Sequence, residues 1–425
     1  MKFSTFYEMQ SPKPWEEGAE IRILKQALEQ VELADRLGFH YAWEVEHHFL
    51  EEYSHSSAPE VFLAAASRNT KNIRLGHGVV LTHPKYNHPA RVAERIATLD
   101  ILSDGRVEWG TGESSSNVEL GGFEIDPATK RDAWREVVEQ TANMMAMTPY
   151  PGFSGNFFSM PCRNVVPKPC QRPHPPIWVA CSRRSTIQLA ARNGIGALVF
   201  GFIDPDDARH WVDEYYSIIK SDACVPIGHA VNANITMIVG FAIDDDREKA
   251  AKKGQEGYEF FSRAGAHYYI KGPHRPAQVN LWADFQASRG KWALPVSPGI
   301  GTPDDVRGTM RKYQASGLDQ IGFVQQCGMN RHEDICQSLE RFAAEIMPEF
   351  VEREAEREAR KAAELAPYIE QAMLRKKWMA PIADRDIPLI DTRSSDIIAS
   401  VEEGGLASLA VPGRTGHADP AGNRE

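Results

Sequence analysis

Half of the chain's 14 histidines lie in its first 88 residues, at positions 40, 47, 48, 55, 77, 83 and 88. An imidazole, with an ordinary pKa of about 6.5, gives or takes a proton near neutral pH, so the cluster points to acid–base chemistry. Glu46-His47-His48-Phe49 closes the run FHYAWEVE, and His77-Gly78 lies inside IRLGHGVVL. Neighbouring residues on a strand face opposite ways, so His47 and His48 are poorly placed to ligate one metal together. No HExxH and no carboxylate spacing demands a metal, and none is expected. The competing reading gives each histidine an ordinary hydrogen bond to loop backbone. Clustering at the ends of apolar runs favours function.

Two more segments could bind or react. Gly110-Thr111-Gly112-Glu113-Ser114-Ser115-Ser116 follows RVEW. Small residues there let a flat ligand approach the backbone, and Glu113 would aim a carboxylate at it; a plain Gly/Ser loop is the alternative. Cys181-Ser182-Arg183-Arg184-Ser185-Thr186 separates PPIWVAC from the helical TIQLAARNG. Ser182 suits an N-cap, and free amides, hydroxyls and two guanidiniums at a helix start suit a phosphate. A capped helix with exposed arginines is the alternative.

These residues need a frame to hold them. One joint recurs, an amphipathic run followed by Gly and a short β-rich segment, at Gly38, Gly105, Gly194 and Gly317. Gly accepts the left-handed backbone of a helix C-cap, so the repeat predicts βα units and a parallel sheet. KFSTFYE, FHYAWEVE, IRLGHGVVL, RVEWGTG, PPIWVAC, GALVFGF, NITMIVGFAI and DQIGFVQ are eight strands. They predict a (β/α)₈ barrel, a TIM barrel, with its active face at the C-terminal strand ends; a doubly wound sheet competes. In the first helix Ile21, Leu24, Leu28 and Val31 share a face.

Residues 149–175 are too rich in Pro for a helix and contain a plausible hairpin. Residues 266–300 are an aromatic insertion before the last unit. Its Tyr268, Tyr269, Trp282, Phe285 and Trp292 would form a lid or substrate wall. VEREAEREARKAAELA, from Val351, predicts a solvated charged helix with Glu356–Arg360 and Glu358–Lys361 pairs. The expected division is therefore a barrel over 1–350 and a charged helix with an irregular C-terminal arm over 351–425. The arm is either dispensable after about residue 368 or an oligomerisation arm.

Composition narrows the class. The 425 residues carry 48 Lys+Arg against 58 Asp+Glu, net −10, and are 42% hydrophobic. That balance argues against a nucleic-acid or anionic-membrane partner. No apolar run reaches the roughly 18 residues of a membrane span, and the N-terminus has no signal-like apolar region. Six scattered cysteines without a CxxC pair read as reduced thiols. A soluble cytoplasmic protein is expected.

Taken together, Trp43-x-x-Glu46-His47-His48-Phe49, Asn72-Ile73-Arg74-Leu75-Gly76-His77-Gly78-Val79-Val80, the run His88–Asp100 and Ser103-Asp104-Gly105-Arg106-Val107-Glu108-Trp109-Gly110 resemble the bacterial luciferase-like family of flavin-dependent monooxygenases and oxidoreductases. Arg331-His332-Glu333-Asp334-Ile335 is similar to some members. The resemblance covers about residues 1–350. It implies a barrel binding FMN, or in some branches a deazaflavin, at the C-terminal strand ends. It places His47 as the active-site acid/base and Gly78 against the flavin ring, where the family often has a non-prolyl cis peptide, here His77-Gly78. His77, Gly112 and Ser114 would line the cofactor; Ser182, Ser185 and Arg183 or Arg184 would meet its phosphate.

Gly112 and Glu113 stand where luciferases carry cysteine and arginine, and Cys181 where they carry an acidic residue, so light emission is not implied. GTGE is similar instead to deazaflavin-dependent sugar-phosphate dehydrogenases, in which the glutamate serves as an acid. The resemblance implies a two-component FMN monooxygenase. It would receive reduced FMN from an NAD(P)H:flavin reductase and use dioxygen on a small organic substrate, working as a homo-oligomer. Deazaflavin-dependent hydride transfer and a non-catalytic flavin-fold subunit are the alternatives.

Overall fold

Eight parallel strands close on themselves: β1 (Lys2–Tyr7), β2 (Tyr41–Glu44), β3 (Arg74–His77), β4 (Val107–Gly112), β5 (Ile177–Cys181), β6 (Gly196–Val199), β7 (Ile235–Ile243) and β8 (Gln320–Gln326). Each pairs with the next, and β8 pairs with β1. The structure, a computed structural model, describes residues 1–201, 203–291 and 294–392. Around the barrel run α1 (Ala19–Leu37), α2 (Pro59–Asn69), α3 (Pro89–Leu102), α4 (Asn117–Gly122), α5 (Lys130–Ala146), α6 (Arg184–Arg192), α7 (Pro205–Ile219), α8 (Arg247–Ala266), α9 (Leu281–Ser288), α10 (Pro303–Ala315), α11 (His332–Arg341), α12 (Met347–Val351) and α13 (Glu354–Arg375). Every expected strand is present, and the fold is the TIM barrel the sequence predicts. Its four glycine joints have φ between +63° and +87°.

Alternation along the strands sorts side chains into two cores. Phe6, Tyr41, Trp43, Trp178, Leu198, Ile238 and Val324 pack together inside the barrel. Phe3, Ala42, Leu75, Ile177, Ala197, Met237 and Phe323 face the helices. Trp43 and Trp178 meet edge to face at 5.3 Å inside the barrel, a geometry worth about 0.5–1.5 kcal/mol beyond burial. Gly76 and Gly196 make room for them: a Cβ there would sit 2.2 Å and 2.3 Å from the two indole rings. Glu108 accepts from Trp178 Nε1 at 2.6 Å and pairs with Arg74, which offset part of the burial that raises its carboxyl.

Two helix expectations change. On α1 the buried stripe is Ala27, Val31 and Ala34, where small side chains let the helix sit close to its neighbours, while Ile21 and Leu24 are exposed. On α13 the charged surface is not wholly solvated. Glu354, Leu365 and Ala372 are buried, and Lys361 Nζ reaches Asp319 at 2.8 Å and Asn234 at 2.6 Å. The expected pair Glu356–Arg360 forms at 2.9 Å.

One compact unit spans Met1–Pro381, so residue 350 lies inside it. The second, Ile382–Glu425, is described only as far as residue 392 and carries one 3₁₀ turn, Asp384–Asp386. The arm beyond 392, Phe202 of the sixth expected strand and Trp292 of the expected lid lie outside the described residues.

The expected hairpin pairs Tyr150–Ser154 with Ser159–Arg163. The aromatic insertion extends α8 through a π turn, His267–Lys271, and then forms α9. No described helix is long and apolar enough to cross a membrane.

Candidate active site

β2 ends at Glu44, earlier than the expected 46, so the next residues leave the strand and strict alternation stops. His47 and His48 therefore both join one polar network. His47 Nδ1 is 3.0 Å from Glu119 Oε1, and the His48 backbone N–H donates to the same oxygen at 2.9 Å. Glu119 Oε2 accepts from Ser114 Oγ at 2.6 Å. On the other side of the ring, His47 Nε2 lies 3.6 Å from Glu8 Oε2. Glu8 follows the end of β1, and its Oε1 accepts from the Tyr53 hydroxyl at 3.3 Å. A histidine is thus held between two buried carboxylates. Glu46, next to His47 in sequence, turns to His48 Nε2 at 3.1 Å, Leu81 N at 2.8 Å and Asn87 Nδ2 at 2.9 Å.

The electrostatics follow from burial and charge. Burial opposes the charge on His47, but the adjoining Glu119 carboxylate, with Glu8 and Glu46, outweighs it and raises the imidazole to about 9. Burial raises Glu8 to about 7, against the lowering effects of His47 and Tyr53. Glu119 is also buried, yet His47, Ser114 and the His48 amide hold it below its ordinary value. Glu119 is therefore a fixed anion, and His47 carries a proton at neutral pH. Tyr53 stacks on Phe261 and meets Tyr269 edge on at 6.0 Å, so the aromatic insertion adjoins this network.

The remaining expected residues fall in three places. Gly78 lies on the inner side, its would-be Cβ 3.1 Å from Phe6 and 3.3 Å from Trp43. His77 points the other way. Its side chain is buried, lines a small cavity with Glu60, Val92, Arg95 and Ile96, and is lowered to about 4 by burial. The His77–Gly78 peptide is trans; the cis bonds among the described residues all precede proline. A cis bond there would cost about 3–4 kcal/mol, and the trans backbone already lets Gly78 N–H reach Glu44 O at 2.7 Å. Gly112 has no room for a side chain, since a Cβ would lie 2.4 Å from Val79.

Glu113 does not join His47. It is gripped by Arg131 of α5, whose Nε lies 2.8 Å and 2.9 Å from its two oxygens. Lys130 donates to Ser114 O, and its pKa is lowered by burial and by Arg131 and Arg183 while Glu113 opposes. Lys130 and Arg131 are consecutive on α5, and Arg183 is near enough for its charge to act on Lys130, so three cations bear on one carboxylate. They adjoin the start of α6, where helix amides lack intrahelical partners. The N-cap there is Arg183 rather than Ser182, with Thr186 Oγ1 bonded to its backbone. Ser182 and Ser185 are exposed. Arg184 turns away to Glu214, at 2.5 Å and 3.2 Å.

Glu8, Tyr53, Glu119, Lys130 and Arg131 were not singled out by sequence. Glu8 alone had a usable signal, an acidic residue closing the first expected strand at the barrel's active face.

The family model for luciferase-like monooxygenases matches residues 1–320. The oxygenase component of the flavin-dependent trigonelline monooxygenase of Acinetobacter baylyi is 26% identical over 373 residues, 84% of this chain and 98% of that protein. A monooxygenase of Streptomyces bottropensis aligns over 83% of this chain and 100% of its own, at 28% identity and a TM-score of 0.67. The oxygenating constituent of 3,6-diketocamphane monooxygenase from Pseudomonas putida, in complex with FMN, shares the fold over 82% of this chain and 98% of its own, at 18% identity and a TM-score of 0.62. This chain belongs to the luciferase-like monooxygenase family of flavin-dependent enzymes.

Proposed function

We propose that this chain is the oxygenase component of a two-component monooxygenase, taking reduced FMN from a separate NAD(P)H:flavin reductase and oxygenating a small organic substrate with dioxygen. The observation that carries the reading is His47, held between Glu119 and Glu8 beside the C-terminal end of the barrel. A full-length relative named as an oxygenase component supports the two-component part. Six unpaired cysteines suit a reducing cytoplasm.

The residues fit FMN at its phosphate end. Lys130, Arg131 and Arg183 exceed Glu113 by two positive charges, the amount a phosphate dianion neutralises, and the α6 amides add donors. At Gly78 the space a side chain would take is already filled by Phe6 and Trp43, so this glycine serves the packing of the barrel interior, and the fit to FMN rests on the phosphate end. When bound, the reduced flavin supplies the electrons that activate dioxygen. His47 Nε2 holds the proton that the reacting centre needs, and Glu119 keeps Nδ1 occupied so that the ring presents Nε2. Tyr53 and Tyr269 shelter this end from water.

Binding of oxidised FMN, reduced FMN and reduced deazaflavin, followed by rapid mixing with dioxygen, tests the reading. Reduced FMN should bind best. His47→Asn should leave that binding and the melting temperature unchanged while slowing turnover about 10²–10⁴-fold. Anaerobic hydride transfer from reduced deazaflavin would replace this reading with the dehydrogenase one.

A further inference from the structure

We propose that Glu8 is the proton store of this site, a positioning residue that returns to His47 Nε2 each proton the imidazole gives up. The proposal rests on the acid–base reading of His47.

The two carboxylates beside His47 are not equivalent. Glu119 has both oxygens engaged, Oε1 by His47 Nδ1 and the His48 amide, Oε2 by Ser114. An anion so fully bonded orients the ring but is a poor place to keep a proton. Glu8 is 1% exposed, and only Oε1 has a hydrogen bond, from Tyr53. Its Oε2 has no hydrogen-bond partner among the described residues and faces His47 Nε2 at 3.6 Å, a small ring movement from bonding distance. A buried carboxyl oxygen without a partner is costly as an anion and cheap as an acid. Its surroundings agree. His47, Tyr53, Glu119, Glu44, Cys327 and Tyr269 are the titratable groups that sense it, and Glu46 also faces His47. Among these His47 is the one base, and burial outweighs it, bringing the Glu8 carboxyl to about 7.

The step is a simple transfer. After His47 Nε2 has protonated the reacting centre, the O–H bond of Glu8 breaks and an N–H bond forms at Nε2. Glu8 is left as a carboxylate and regains its proton from water that enters once product has left. Nothing is oxidised or reduced.

Carbon-13 spectra of glutamate-labelled protein without flavin, with nitrogen-15 spectra of its histidines, test this directly. Burial also raises Glu44 and Glu108, so the Glu8 carboxyl is the one that titrates with a midpoint near 7, that the His47 nitrogens sense, and that disappears in Glu8→Gln. The same variant should lower the midpoint of His47 by about one unit or more. It should also remove the corresponding limb from the pH profile of kcat, leaving KM in place. The absence, in the wild-type protein, of any carboxyl midpoint within roughly pH 6–8 overturns the proposal even if the variant does not fold. So does an unchanged His47 midpoint in folded Glu8→Gln. These midpoints need neither flavin nor dioxygen, so failure of the monooxygenase reading would show separately.

Discussion

Glu119 Oε1 accepts from Nδ1 of His47 and from the backbone N–H of His48, 3.0 Å and 2.9 Å away. One carboxylate oxygen therefore sets both the direction of the ring and the path of the chain that carries it. Glu119→Gln keeps the shape and removes the charge. We expect the His47 pKa to fall from about 9 and turnover to drop about 10²-fold or more. The sign is definite: a raised pKa keeps the imidazolium present until pH passes through about 9. Activity that needs the protonated ring should fade near that pH in the wild type and at lower pH in the variant.

The phosphate site separates two adjacent arginines. Both are exposed, but the charge of Arg183 acts on Lys130, whereas Arg184 is occupied by Glu214. Arg183→Ala and Lys130→Ala should each weaken FMN about 10–100-fold, the value of one charge-assisted hydrogen bond, and should leave riboflavin nearly unaffected. Arg184→Ala should change neither affinity. Isothermal titration with both flavins checks it, and equal losses for FMN and riboflavin would refute the assignment.

Much of the frame was legible because it depends on local pattern. Gly38 and Gly317 mark helix ends through their own backbone freedom, and runs such as KFSTFYE and DQIGFVQ show their strand character without neighbours. The site was less legible because barrel closure assembles it. Glu8 and Glu119 meet at His47 from positions 111 residues apart in sequence, and Arg131 finds Glu113 through the docking of α5. No periodicity encodes those meetings. The same reason explains α13: its charged surface reads as solvated until Asp319 and Asn234 arrive from strand ends elsewhere.

Glu113 should prove dispensable for proton transfer. Its carboxylate is spent on Arg131. Glu113→Gln should free that guanidinium, leaving FMN affinity equal or somewhat higher, and should change turnover by less than about tenfold, well short of a lost acid. Abolished turnover with retained FMN binding would give Glu113 the acid's role and favour the deazaflavin alternative.

The end of the folded unit gives the last expectation. A chain ending at Pro367 loses Ala372, which is buried, and Arg375, which donates to Cys224 O and Ser221 O at 3.1 Å each. It also loses Lys376, whose buried Nζ donates to Pro226 O at 3.1 Å and Ile227 O at 2.9 Å. Leaving such carbonyls without donors costs about 1–3 kcal/mol apiece, so this truncation should lower the melting temperature by about 5 °C or more. A chain ending at Pro381 should melt like the full-length protein. The start of α13 has its own signature. Burial opposes the charge on Glu354, but Arg357 and the amino terminus hold its carboxyl below the ordinary 4.5. The stability this adds is complete above that pH and disappears as pH falls through the lower folded-state value. Glu354→Gln should therefore destabilise the protein at neutral pH and remove part of its acid sensitivity, as thermal unfolding across the acidic range would read. An unchanged melting temperature for the chain ending at Pro367 would mean that the last turns of α13 contribute nothing to the fold.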